Sequence, residues 1–214
     1  MTVLLILEII GTVAFAVSGA IVAIEKEMDI FGVVILGTTT AVGGGIIRDL
    51  ILGVTPPAAF RDPVYALLAI EVSLIVFFPK INRLFRRKNN IPLLIMDSLG
   101  LGVFTVVGVR AGMTSDNLFL AVFVGVLTGV GGGVVRDLFA GNRPYIFIKH
   151  FYACASLIGA TLTVALWTVD KDIAMVAGAT LIILLRFLAA RFRWSLPRAH
   201  AEPEVLPPKD KKKN

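Results

Sequence analysis

Charge, histidine and cysteine are all scarce in this chain of 214 residues. Only 17% of residues are charged, where a soluble domain carries about 25%. The single cysteine, Cys154, excludes an internal disulfide and a cysteine-based metal site. The two histidines, His150 and His200, sit at a loop edge and near the C-terminus, with no metal-ligand or Ser/His/Asp spacing around them. No GxxxxGK[ST] run occurs, so phosphate-driven pumping has no visible machinery. Neither a cofactor, a bound metal nor an enzymatic activity is expected. The opening MTVLLILEII lacks a basic stretch and a small-residue cleavage site, and reads as a first membrane span.

Apolar residues fill the gap, at 57% of the chain with a mean hydropathy of +0.85. Seven apolar segments stand out, roughly 3–24, 30–53, 63–79, 92–111, 117–141, 150–169 and 172–193. A span needs about 20 residues. The expected fold is therefore an all-α integral membrane protein with seven transmembrane helices in one membrane domain, 1–196. The Pro- and Lys-rich residues 197–214 cannot bury apolar surface and read as a disordered basic tail.

The net charge of +6 is placed by topology and does not point to nucleic acid. Lys80, Arg83, Arg86, Arg87 and Lys88 share one loop, and Arg143, Lys149 and the basic C-terminal residues fall on the same side. Arg61 and Lys171 are nearly alone on the other. Lysine and arginine stay cytoplasmic, which puts the N-terminus outside and the C-terminus inside. Arg83, Arg86, Arg87 and Lys88 also suit anionic lipid headgroups.

An internal repeat is the strongest signal. Glu8-x-x-Gly11-x-x-x-Phe15-x-x-x-Gly19 matches Asp97-x-x-Gly100-x-x-x-Phe104-x-x-x-Gly108 at an offset of 89. GGGIIRDLILGVTP (43–56) matches GGGVVRDLFAGNRP (131–144) at 88, and Tyr65-Ala66 matches Tyr152-Ala153 at 87. Repeat one covers 3–79 and repeat two 92–169, leaving a seventh helix at 172–193. Each copy holds three spans, an odd number, so the second enters from the opposite face. This is the inverted-repeat arrangement of many transporters and related pores.

Gly43, Gly44 and Gly45, with Gly131, Gly132 and Gly133, each cost a helix about 1 kcal/mol relative to Ala. Two readings stand: close helix packing, or a kink or break beside a polar pathway. One turn later Arg48-Asp49 and Arg136-Asp137 fall inside the bilayer, where ionisable groups are paired or face water. Sequence neighbours point about 100° apart on a helix, so neither Arg is expected to be neutralised by the Asp beside it. Equal depth pairs Glu8 with Arg48 in the outer half and Asp97 with Arg136 in the inner half. The alternative is that both arginines snorkel to headgroups. The hydroxyls of Thr38 and Thr128 either replace waters of a moving cation or bond back one turn. Phe15 and Phe104 suit either a constriction or core packing, and Glu71 either a pore wall or a subunit contact.

With its doubled GGGxxRDxxxGxxP motif, the sequence resembles prokaryotic members of the trimeric intracellular cation (TRIC) channel family, also called glycine-transporter-like, over about residues 5–190. The resemblance implies seven helices, a homotrimer with one pore per protomer, and second and fifth helices broken at the glycines. It also implies passive conduction of potassium or sodium ions without a cofactor, in a prokaryotic inner membrane. Gly43–Gly45 and Gly131–Gly133 would be pore kinks, and Arg48, Asp49, Arg136 and Asp137 would lie at or beside the pore. Animal members carry lysines in a voltage-sensitive fourth helix, whereas only Arg110 stands near the end of that helix here, which puts voltage gating in doubt. The alternative is a secondary transporter of a small amino acid such as glycine, which inverted repeats suit equally well.

Overall fold

The computed structural model describes residues 2–85, 91–148 and 151–194. These residues form ten helices and, among them, no strand. The order is α1 (Thr2–Glu25), α2 (Ile30–Ile51), α3 (Ala58–Arg61), α4 (Val64–Phe77), α5 (Pro79–Phe85), α6 (Ile91–Gly112), α7 (Leu118–Phe139), α8 (Tyr145–Ile148), α9 (Tyr152–Leu166) and α10 (Lys171–Phe192). Five of them (α1, α2, α6, α7 and α10) are long and apolar enough to cross a bilayer. A 22-residue helix reaches about 33 Å at about 1.5 Å per residue, against about 30 Å of hydrocarbon. The expected third and sixth spans are shorter helices, α4 with 14 residues and α9 with 15. The basic residues Arg86, Arg87 and Lys88, and the tail 197–214, lie outside the described residues.

Local chemistry fixes the helix ends. The side chains of Asp29, Asn117 and Asp170 accept from the amides of Gly32, Leu120 and Ile173, capping α2, α7 and α10. At the other end, α2 and α7 stop by one device. The Gly53 amide donates to the Leu50 carbonyl at 3.2 Å and the Val54 amide to the Asp49 carbonyl at 2.8 Å. Gly141 and Asn142 repeat both bonds on Leu138 and Asp137. The turn needs a left-handed residue, and Gly53 and Gly141 supply it at φ +71° and +67°.

The helices pack as two groups, α1/α2/α4 and α6/α7/α9, which meet along α1–α6 and α2–α7. Helix α10 lies against α6 and α9. Polarity runs opposite to that of a soluble bundle. Ser18, Thr40, Asp97, Thr105, Thr128, Arg136 and Ser156 are fully buried, while Phe31 and Phe119 are 72% and 78% exposed. Large apolar side chains facing outward along α1, α2, α7 and α10 match a surface solvated by lipid.

The expected break at the glycines is not there. Both α2 and α7 run uninterrupted through Gly43–Gly45 and Gly131–Gly133. The glycines bring the two helices into backbone contact. A methyl group on Gly44 would strike the Thr128 carbonyl, and one on Gly132 would strike the Thr40 carbonyl. Close approach, with the helical hydrogen bonds kept, is what the doubled run accomplishes.

Candidate functional site

Two clusters of ionisable groups flank the α2–α7 crossing, and each is assembled from the corresponding residues of the two repeats. On the side where α1 begins, the Tyr65 hydroxyl of α4 donates to Glu8 of α1 at 2.6 Å. Arg48 Nε donates to Asp49 Oδ1 at 2.8 Å, and Asp49 Oδ2 accepts the Ala58 amide that opens α3. These groups line an apolar-walled cavity of about 210 Å³ with Thr12, Asp62 and Phe104. A neighbouring cavity of about 490 Å³ shares Glu8, Arg48 and Asp49 and adds Arg110. Around both, three carboxylates (Glu8, Asp49, Asp62) outnumber two guanidiniums (Arg48, Arg110).

The second cluster is buried. Arg136 Nη1 donates to Asp97 Oδ1 at 2.7 Å and to the Ser18 hydroxyl. Arg136 Nε donates to Asp137 Oδ1 at 2.9 Å, and Asp137 Oδ2 accepts the Tyr145 amide that opens α8. The Tyr152 hydroxyl donates to Asp97 at 3.3 Å. The Tyr145 ring centroid lies 5.1 Å from the Arg136 guanidinium carbon. A lone charge in this environment would be very costly, so two carboxylates, a hydroxyl and an aromatic face surround Arg136.

Between the clusters lies Phe15. Along α1 the order is Glu8 and Thr12 at the cavity, then Phe15, then Ser18 at Arg136. Along α6 it runs in reverse, from Val107 and Phe104 to Gly100 and Asp97. Phe15 is fully buried, presses on Gly100 and on Gly132, and packs at a tilt against Phe104 with ring centroids 5.3 Å apart. Along α1 it stands between Thr12 at the cavity and Ser18 at the Arg136 cluster.

The family described as Glycine transporter matches residues 5–80 and 94–168, segments that coincide with the two repeats. The TRIC orthologue from Rhodobacter sphaeroides is 37% identical over 90% of this chain and all of its own, with a TM-score of 0.84. The chain belongs to the prokaryotic TRIC family. A further TRIC cation channel structure is 40% identical over 92% of this chain and 98% of that one, TM-score 0.82. Among curated relatives, the UPF0126 inner membrane protein YadS of Escherichia coli K12 is 36% identical over 89% of this chain and 93% of its own length. YvgT of Bacillus subtilis is 38% identical over 90% and 94%. The family is one of membrane channels and not of enzymes.

In this TRIC chain the depth argument holds for one pair and fails for the other. Asp97 and Arg136 meet, but Arg48 turns back to Asp49 and Glu8 takes Tyr65 instead. The expectation that Arg and Asp in sequence point apart is also corrected. The arginine stem is long enough for its Nε to reach the neighbouring carboxylate, which each Asp offers while capping the following short helix. Thr128 donates to the Val124 carbonyl one turn back. The Thr38 hydroxyl has no hydrogen-bond partner among the described residues. Glu71 is exposed on α4 and is absent from the walls of both cavities. Sequence reasoning missed Tyr65, Tyr152, Ser18 and Arg186 as site residues. The two tyrosines carried a signal, since they are matched across the repeats.

Proposed function

We propose that this protein is a homotrimeric, potassium-permeable cation channel of a prokaryotic inner membrane, with a pathway inside each protomer. Seven spans form one membrane domain, α1, α2 and α4 being one repeat and α6, α7 and α9 its inverted copy. The N-terminus lies outside and the C-terminus in the cytoplasm, in keeping with the basic side of the chain. Glu8, Arg48 and Asp49 line the outer vestibule, Asp97, Arg136 and Asp137 form the inner cluster, and the glycine crossing lies between.

The observation that carries this reading is the acidic, apolar-walled cavity at Glu8 and Asp49, with a second ionic cluster further along α1 and α6, past the buried Phe15. Excess carboxylate at the mouth of a low-dielectric cleft concentrates cations and repels anions. Relatives of known structure that align over nine-tenths of this chain are cation channels, which favours this class over a glycine transporter.

Purified protein in proteoliposomes tests it. Unitary potassium currents far above a transporter's turnover are expected, with little chloride permeability. Saturable glycine uptake without such currents would overturn the proposal.

A further inference from the structure

The two ionic clusters are made from matching residues, yet only one of them is open. Glu8 faces a cavity and has a single tyrosine hydroxyl as partner. Its counterpart Asp97 is fully buried and has a neighbour that Glu8 lacks. Arg186 of α10 places Nη2 at 3.6 Å from Asp97 Oδ2, on the carboxylate oxygen that Arg136 does not use. Its guanidinium carbon stands 4.5 Å from the centre of the Tyr152 ring, and the residue is only 3% exposed. Helix α10 lies outside the repeat, so this arginine has no repeat-matched counterpart beside Glu8, where the second guanidinium, Arg110, comes from α6 and shares only the neighbouring cavity.

Formal charge makes the difference explicit. Glu8, Arg48 and Asp49 sum to −1, and so do Asp97, Arg136 and Asp137. Arg186 brings the second cluster to zero. Asp97 Oδ2 takes no hydrogen bond among the described residues and faces the Arg186 guanidinium, while Asp97 Oδ1 is held by Arg136 and the Tyr152 hydroxyl. Carboxylate and hydroxyl oxygens are of the kind that coordinate a dehydrated monovalent cation, and the positive charge of Arg186 opposes such a cation at Asp97.

We propose that Arg186 sets the asymmetry of the pathway by neutralising the Asp97 cluster, which makes the inner half a barrier that cations do not occupy. Without that charge, Asp97 and Tyr152 form a second cation-accepting station equivalent to Glu8 and Tyr65. The inference rests on the proposed cation pathway. It concerns the seventh helix, which acts on the pathway through Asp97 without belonging to either half.

Two measurements on the assembled protein test it separately from the channel reading. In detergent, the Arg186→Gln protein should gain thermal stability when potassium replaces N-methyl-D-glucamine. The wild type and the Arg186→Gln/Asp97→Asn double variant should not. In proteoliposomes, Arg186→Gln should raise potassium flux by about tenfold, in keeping with removal of a unit charge at contact distance from the site. Arg186→Lys, which keeps the charge, should stay near wild type. If Arg186→Gln does not assemble, Arg186→Met removes the charge with a side chain of similar length and carries the same expectations. A charge-removing variant with no potassium-dependent stabilisation overturns the proposal, and so does an Arg186→Lys protein that matches Arg186→Gln. If every protein lacks flux while the potassium-dependent stabilisation of Arg186→Gln persists, the channel reading fails and the role of Arg186 stands.

Discussion

The Arg136 guanidinium meets the Asp97 carboxylate at 2.7 Å with both side chains wholly withdrawn from the surface. Removing one partner of a buried pair strands the other, at a cost of about 3–5 kcal/mol. Glu8 holds the corresponding place at an open cavity, where loss of its bond from Tyr65 is worth about 1–2 kcal/mol. Asp97→Ala should therefore lower the thermal unfolding midpoint in detergent much further than Glu8→Ala. The opposite order would mean that the buried cluster does not carry the stability assigned to it.

How much of this could be read from the sequence differs from residue to residue. The long spans follow from apolar runs, and the Asp97–Arg136 pair follows from matching their depths. The same depth argument fails for Glu8 and Arg48. Depth fixes how far along a helix a charge sits, but not which competing acceptor is nearer, and Asp49 is covalently next door. The glycine runs gave a sound indication that α2 and α7 do something unusual together. Whether they break or touch depends on what faces them, and that is the Thr40 and Thr128 carbonyls of the partner helix. Arg186 was visible only as an interruption of the last apolar run. Its role depends on how α10 packs against α6 and α9, which no local pattern encodes.

The glycine crossing can be probed at adjacent positions. At Gly44 a methyl group meets the Thr128 carbonyl, a backbone atom that cannot rotate away. At Gly45 the nearest neighbour is the flexible end of Arg48, 4.0 Å off. Gly44→Ala should cost about 1–3 kcal/mol through overpacking. Gly45→Ala should be neutral or gain up to about 1 kcal/mol from helix propensity. Thermal unfolding of the two proteins side by side checks this, and equal midpoints would refute the close crossing.

Phe15 stands on α1 between the Glu8 cavity and the Asp97–Arg136 cluster. Truncating a fully buried phenylalanine costs about 3–5 kcal/mol. It also removes the ring that presses on Gly100 and Gly132. Phe15→Ala should therefore be less stable yet pass more potassium per assembled protein in a proteoliposome flux assay. Lower stability with unchanged flux would make Phe15 a packing residue alone.

The cavities around Glu8 should act through their net charge. Glu8→Gln keeps an acceptor for the Tyr65 hydroxyl, so the local geometry and the assembled state are expected to persist. The substitution changes the balance around the two cavities from three carboxylates against two guanidiniums to two against two. Potassium conductance should fall and permeability to potassium over chloride should drop. Both effects should be largest at low ionic strength, because mobile ions screen charge over about 10 Å at 0.1 M and about 3 Å at 1 M. Reversal potentials under a potassium chloride gradient, recorded at two salt concentrations, give the answer. If Glu8→Gln shifts neither conductance nor reversal potential at low salt, selection is made elsewhere along the pathway and the acidic mouth is incidental.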